Sequence, residues 1–422
     1  MKKVLIITYY WPPSGGSGVQ RWLKFVKYFR DFGIEPIILT VDPNDATFPF
    51  RDESLLDDVP IGIEIHHTKA KSPFGLYSKI RGKKVPQSGF SEESKPGLLD
   101  HIVRFLRGNF FIPDARIGWN KFAYDKAVEL IKKNNLKTII TTSPPHSTQL
   151  IGTKLKQTFD LTWIADLRDP WTEIYYNKKL YRTPFAKKKD YKLEQACLKN
   201  ADKIFVVSED IKRNFAVNRR EIIDKIHVIP NGFDESDFSN LKSFDSSNSK
   251  TISYVGNIGE LYPTDGFLEA FSTLIQKEKD WKLQFVGNCS GNVKRKVESL
   301  QLSQNVEFIP YVNHSEAINY MTNATILLLI IPKIENNKGI LTGKLFEYIA
   351  SCKPILNIGP KDGDAAEILK ENAISITLNQ NEKEEMLNFI LNTPKNSKVQ
   401  TISESRFSRR NLTYRVSKLI LE

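Results

Sequence analysis

Lys344 and Glu347 stand three residues apart in Gly343-Lys344-Leu345-Phe346-Glu347-Tyr348-Ile349-Ala350, where the apolar positions Leu345 and Ile349 recur at helical spacing. Gly343 opens this predicted helix, and Pro354 closes it ahead of the apolar run Ile355-Leu356-Asn357-Ile358. A separation of three puts the ammonium and the carboxylate on one side, close to a helix start whose free N–H groups and dipole favour anions. A carboxylate takes two hydroxyls, and a cation beside a helix start takes phosphates. The pair therefore suits a sugar nucleotide, although the same spacing on an exposed helix is also an ordinary surface ion pair.

The first half of the chain offers three more groupings. His146 lies in Ser143-Pro144-Pro145-His146-Ser147-Thr148, just past the strand-like Thr138–Thr142, where open α/β sheets place their ligands. A second run, Leu161–Ala165, delivers Asp166-Leu167-Arg168-Asp169 to the same edge. Asp166 and Asp169 are candidates for acid–base work or hydroxyl binding, and Arg168 for phosphate or for pairing with them. Near the N-terminus, Gly15-Gly16-Ser17-Gly18-Val19-Gln20-Arg21 forms a glycine-rich turn in which Gly16 lets backbone approach a phosphate or sugar, with Arg21 as a further positive charge. The spacing is not that of a dinucleotide fingerprint, and no acidic residue nearer than Asp42 follows the second strand, so a dehydrogenase is disfavoured.

These groups need rigid elements to hold them. Val4–Thr8, a helix over 19–32 ended by Gly33, and a strand over 36–40 make a βαβ opening. The polar, serine-rich stretch from Phe238 to Lys250 reads as a linker. After it, Thr251–Val255 and Gly256-Asn257-Ile258-Gly259 start the strand–turn–helix rhythm again. The expected fold is α/β: two Rossmann-like domains facing across a cleft. Residues 1–238 form the first and 250–398 the second, with a helix in 399–422 crossing back to the first.

At 422 residues the chain exceeds one compact core. Cys197, Cys289 and Cys352 lack disulfide or zinc spacing. The formal net charge of +12 asks for an acidic partner: a phosphorylated substrate, an anionic membrane or nucleic acid. No recognition helix or stacking platform supports nucleic acid. Basic and aromatic residues over 69–119, including a predicted amphipathic helix from Leu98 to Phe111 with Arg104 and Arg107 on a cationic side, point to an anionic leaflet. The longest apolar run, Ala324–Pro332, is half a membrane span, and Met1-Lys2-Lys3 passes directly into a strand, so the expectation is a cytosolic chain that touches the inner membrane face.

Taken in order, the glycine-rich first loop, Asn231-Gly232-Phe233-Asp234, Tyr254-Val255-Gly256-Asn257-Ile258-Gly259 and Gly343–Ala350 resemble the retaining GT-B glycosyltransferases of family 4. The resemblance implies a nucleotide-sugar donor (UDP- or GDP-linked) held by the second domain and a glycan or lipid-linked acceptor held by the first. It also implies transfer of a sugar with retained configuration, without a metal or other cofactor, in cell-envelope or polysaccharide assembly. It assigns Glu347 to the ribose, Lys344 to the diphosphate, and Gly256, Asn257, Gly259 and Gly16 to the loops that approach the donor. His146 is implied near the reacting sugar. The leaving diphosphate would itself steer and deprotonate the acceptor, leaving the protein to stabilise charge and hold both sugars.

The sequence departs from that family at two places. Gly339 stands where a first glutamate is usual, and Asn257 and Pro263-Thr264 replace the usual arginine and lysine, so that Lys344, Arg21 or Arg168 would supply the phosphate charge. Asp362-Gly363-Asp364 spells a metal-binding pattern, but Asp364 is expected to cap the following helix. The competing readings are a nucleotide-sugar epimerase or hydrolase of the same fold, and a non-catalytic glycan- or nucleic-acid-binding protein.

Overall fold

The computed structural model describes residues 1–48, 51–71, 98–217, 219–238, 250–371, 374–393 and 405–422. The linker at 239–249 and most of the basic segment, 72–97, lie outside the described residues. Two compact units make up the chain: Met1–Pro230 with Arg409–Glu422, and Asn231–Ser408.

The first unit is built on seven parallel strands: β1 (Lys2–Ile7), β2 (Ile34–Val41), β3 (Glu64–Thr68), β4 (Thr138–Ser143), β5 (Thr162–Leu167), β6 (Lys203–Val206) and β7 (Ile226–Val228). Their order is β3-β2-β1-β4-β5-β6-β7. Helices α1 (Ser17–Phe29), α2 (Leu98–Phe110), α3 (Asn120–Asn134), α4 (Ser147–Thr158), α5 (Pro184–Asn200) and α6 (Glu209–Ala216) connect or flank them. β1 is apolar without alternation because both of its faces are covered. Val4 and Ile6 join one core with Trp22, Phe25 and Phe29 of α1, while Leu5 and Ile7 join another with Ala123, Ala127 and Leu130 of α3. The C-terminal helix Arg409–Leu421 completes the first of these cores through Leu412, Val416 and Ile420, and Lys2 Nζ donates to the carbonyl of Ile420.

The second unit repeats the plan with six parallel strands, β8 (Thr251–Val255), β9 (Lys282–Val286), β10 (Val306–Ile309), β11 (Ile326–Ile330), β12 (Ile355–Ile358) and β13 (Ser375–Leu378), in the order β10-β9-β8-β11-β12-β13. Its helices are α7 (Asp265–Lys277), α8 (Gly291–Ser299), α9 (His314–Asn323), α10 (Gly343–Ala350), α11 (Asp364–Lys370) and α12 (Lys383–Asn392). β11 sends Ile326, Leu328 and Ile330 to one core and Leu327 and Leu329 to the other. In each sheet the chain reverses its direction of travel at one pair of strands, β1/β4 and β8/β11, and the loops at their carboxyl ends open the crevice where such sheets bind ligands.

Four local differences from the sequence reading matter. β3 was not foreseen, because Glu64-Ile65-His66-His67-Thr68 carries one apolar residue and forms a sheet edge. β5 runs two residues past Ala165, which places Asp166 inside the strand. Asp364 is the first residue of α11 and does not cap it; Gly363 holds the cap position. Finally, α2 turns its faces the other way: Arg104 is buried, whereas Ile102, Phe105, Leu106 and Phe110 are exposed. A helix with arginines and apolar residues on both flanks does not declare which flank finds partners.

Candidate functional site

In the second unit, Tyr348 fixes α10 to the reversal point of the sheet. Its hydroxyl accepts from Val255 N of β8 at 2.8 Å and donates to Leu328 O of β11 at 3.3 Å. That docking carries Lys344 and Glu347, one turn earlier and one residue earlier, to the carboxyl end of β8. Lys344 Nζ donates to the Tyr254 hydroxyl at 2.5 Å and lies 4.0 Å from the centre of its ring. Burial pulls the Lys344 ammonium down to about 7, against the raising effect of the Glu347 carboxylate. Glu347 Oε1 meets His314 Nε2 at 3.0 Å, and His314 Nδ1 lies 3.9 Å from Asp237 Oδ2.

The loop above this pair is held open by glycine. Gly256 sits at φ 123°, and a Cβ there would come within 2.9 Å of the Lys344 side chain. Gly256 N donates to Val286 O and Ile258 N to Asn288 O, while Asn257 Oδ1 accepts from Asn288 N at 3.2 Å. The Asn257 carbonyl accepts from Tyr254 Oη at 2.9 Å, so Lys344, Tyr254 and the loop form one hydrogen-bonded chain. The Gly259 carbonyl accepts from Tyr262 N and closes the turn. At the start of α10, Gly343 would accommodate a Cβ with no described atom within 4 Å, and the buried Thr342 Oγ1 has no hydrogen-bond partner among the described residues. Gly339 is buried in a short 3-10 turn, Asn337–Gly339. Asp362 is paired with Lys338 at 2.5 Å, and among the described residues no cluster of three His, Cys, Asp or Glu side chains is placed to hold a metal ion.

The first unit redistributes the polar residues at its strand ends. Arg21 and Asp166 are fully buried and bonded to each other through Arg21 Nε and Nη2. Arg21 Nη1 donates to Pro230 O, and Asp166 also accepts from Trp22 Nε1 at 2.8 Å and Thr142 Oγ1 at 2.7 Å. The two therefore clamp α1 to β4 and β5, which removes them as acceptor or phosphate ligands. Arg168 is likewise spent on backbone, donating to Ser143 O, Gly18 O and Pro144 O at 2.9, 2.7 and 3.1 Å. It ties the β1 and β4 loops together and is a positioning residue. Asp169 differs: it makes no hydrogen bond or ion pair among the described residues, and burial, with the charge of Asp166, raises its pKa against the opposing pull of Arg168. Gly16, at φ 95° and exposed, immediately precedes α1.

His146 opens α4 at the end of β4 and is 6% exposed. Its ring stacks on Trp171 with centroids 5.0 Å apart and planes at 12°. Among the described residues neither ring nitrogen has a hydrogen-bond partner, and burial pulls its pKa down to about 4, so the imidazole is neutral near pH 7. Sequence reasoning missed His314, Asp237 and the Tyr254 hydroxyl. Asn313 and Glu316 mark the start of α9, with Asn313 Oδ1 accepting from Glu316 N, but nothing local ties that helix to Glu347.

Comparisons with known proteins bear on the family and the fold. Residues 16–237 match the family described as Glycosyltransferase Family 4, and residues 237–401 match Glycosyl transferases group 1. No curated protein matches the chain. Among solved structures, HepE of Anabaena in complex with UDP is similar with a TM-score of 0.63 at 12% identity, covering 100% of both chains. The N-terminal domain of Candida albicans trehalose-6-phosphate phosphatase gives 0.61 at 15% identity, covering 100% of this chain and 97% of that one. Sucrose-phosphate synthase from Thermosynechococcus elongatus gives 0.59 at 14%, covering 99% and 95%. At these identities the structures show a shared fold.

Proposed function

The chain belongs to the family 4, group 1 glycosyltransferases of GT-B fold, and on that premise we propose that it moves a sugar from a UDP- or GDP-linked donor to a glycan or lipid-linked acceptor. The transferred unit is hexosyl or N-acetylhexosaminyl, and its anomeric configuration is retained. The observation that carries this reading is the Glu347 carboxylate, oriented by His314 and set beside Lys344 at the end of β8. One Glu347 oxygen faces the imidazole and the carboxylate can accept the paired hydroxyls of a ribose. The diphosphate then lies over Lys344 and the start of α10, where the ammonium, the helix N–H groups and the Thr342 hydroxyl answer its charge. HepE binds UDP, which supports a nucleoside diphosphate here.

No metal enters this proposal. Gly256, Asn257 and Gly259 bring backbone against the donor, and Gly16 does so from the first unit. Asp169 and His146 serve the acceptor side, with the neutral imidazole as a hydrogen-bonding group that does not compete for the reaction's proton. The leaving diphosphate takes the acceptor's hydroxyl proton as the new glycosidic bond forms on the face it vacates, and the protein's contribution is electrostatic and positional.

The setting we propose is cell-envelope or polysaccharide assembly at the inner membrane face. Among the described residues no helix is long and apolar enough to cross a membrane. The exposed Phe105, Leu106 and Phe110 of α2, with Phe185 and the lysines 187–189 of α5, supply an apolar and basic surface for peripheral contact. Isothermal titration with UDP, GDP and ADP tests the reading: one of them binds, and Glu347→Ala abolishes it. Absence of binding by all three overturns it. Incubation with donor alone, yielding epimerised sugar, would replace transfer with epimerisation.

A further inference from the structure

The first unit contains a cavity of about 60 Å³ beside the β4 and β5 loops, and its walls are unusually rich in charge. Arg107, Arg116 and Arg182 line it together with Asp114 and Asp190, and His146 and Tyr176 complete the polar surface. The arginines arrive from separate elements by specific docking. Gly108 allows α2 to lie against residue 180: a Cβ there would meet Leu180 O at 2.3 Å. Asn109 then pins the neighbouring segment, donating to Tyr181 O and accepting from Thr183 N at 2.8 Å. Arg107 and Arg182 flank this seam and are thereby delivered to the same space. Arg116 follows the Asp114 turn, in which Asp114 Oδ1 accepts from Arg116 N at 2.8 Å.

Both carboxylates are already committed. Asp114 accepts from Ser147 N and Oγ at 2.7 and 2.9 Å, and so joins the cavity wall to the start of α4. Asp190 pairs with Arg182 and accepts from Trp171 Nε1 at 2.9 Å. Among the described residues of the wall, three guanidinium groups face two carboxylates. Burial and the charge of Arg116 both lower the proton affinity of Arg107, as expected where cations are crowded together. Buried polar atoms in proteins are nearly always paired. Here His146 Nδ1, His146 Nε2 and Arg182 Nε are buried at the cavity without a hydrogen-bond partner among the described residues, with His146 6% exposed and the Arg182 side chain 5% exposed.

We infer that this cavity is a subsite for an oxyanion, a carboxylate or a phosphodiester, carried by the acceptor. The inference rests on the reading of the first unit as the acceptor side, and it adds the substrate class: an acidic acceptor, either a sugar acid or a phosphodiester-linked glycan or lipid. His146 hydrogen-bonds the oxyanion from its stacked position on Trp171, which gives the histidine a role in acceptor recognition.

Titration of the full chain with glucuronate, dimethyl phosphate and glucose tests this. Glucuronate or dimethyl phosphate binds and neutral glucose does not; whichever anion binds identifies the source. Arg107→Gln and, separately, His146→Asn weaken that binding about tenfold each while circular dichroism and melting show a folded protein. No binding by either anion up to ~10 mM, or equal binding of glucose, overturns the inference, as does unchanged affinity in a folded Arg107→Gln. UDP is titrated into the same samples. Binding of UDP without either anion removes the subsite and leaves the transferase reading; binding of an anion without any nucleotide does the reverse.

Discussion

His314 Nε2 lies 3.0 Å from Glu347 Oε1, joining the first residue of α9 to the second turn of α10. An imidazole on one carboxylate oxygen fixes the plane of the other, which sets the geometry for two neighbouring hydroxyls. His314→Ala is expected to weaken nucleotide binding about tenfold, and Glu347→Ala about a hundredfold, because the second change removes charge-assisted bonds outright. Calorimetric titration checks both; equal affinities in wild type and Glu347→Ala would remove the carboxylate from the site.

Lys344 has a pKa of about 7 before ligand arrives, because burial opposes its charge. A bound diphosphate raises that pKa, so binding takes up a proton above pH 7. Nucleotide affinity should be level just below that pH and should fall by up to about tenfold per unit above it. Lys344→Arg keeps the charge and removes the slope. The same depressed pKa means that the folded protein bears the cost of a charged Lys344 below pH 7 and sheds it as pH rises toward 10.5; Lys344→Met should therefore melt higher at neutral pH while binding nucleotide less well.

Gly256→Ala combines a backbone conformation of φ 123° with a 2.9 Å approach to Lys344. The expected loss is about 1–3 kcal/mol of stability, together with weaker nucleotide binding as the lysine is pushed aside. Thermal melting and UDP titration read the two effects separately.

Asp166 and Arg21 act on stability. Asp166→Asn leaves the buried Arg21 without its counter-charge and should cost roughly 3–5 kcal/mol, whereas changing both to apolar residues of similar volume should recover much of that. Denaturant unfolding of the single and double variants measures the difference. A native-like Asp166→Asn with lost transfer activity would instead put the carboxylate in the reaction.

His146 is an acid-sensitive group of the first unit. Its folded pKa of about 4 lies below the ordinary 6.5, so the unfolded chain binds the extra proton and stability falls as pH drops from about 6.5 to about 4. Asp114 resists this shift, Arg182 and Arg168 assist burial in causing it, and Asp190, Arg107 and Tyr176 share the wall. His146→Leu should flatten that limb by up to about 3 kcal/mol, seen in denaturant midpoints across the range.

The strand–helix rhythm was readable because parallel strands buried on both faces leave unbroken apolar runs, as in Val4–Ile7 and Ile326–Ile330. β3 escaped because an edge strand with one apolar residue has no such signature. The Lys344 and Glu347 spacing correctly put both on one helix, α10. Asp166 misled because two extra residues of β5 decide whether a carboxylate enters a loop or a sheet. The oxyanion cavity was invisible for a different reason: Arg107, Arg116, His146 and Arg182 are neighbours through the seam at Gly108 and the Asp114 turn, contacts that no periodicity encodes.

The C-terminal helix Arg409–Leu421 shares a core with α1, yet 178 residues of the second unit, Asn231–Ser408, intervene in the chain. During synthesis the second unit is one continuous segment and has all of its strands once residue 408 has left the ribosome. The first unit, though begun earlier, waits with Trp22, Phe25 and Phe29 lacking part of their cover until Arg409–Leu421 emerges. Folding of the second unit thus precedes completion of the first, and a truncated chain ending near residue 408 would present that uncovered aromatic surface to chaperones or to other chains.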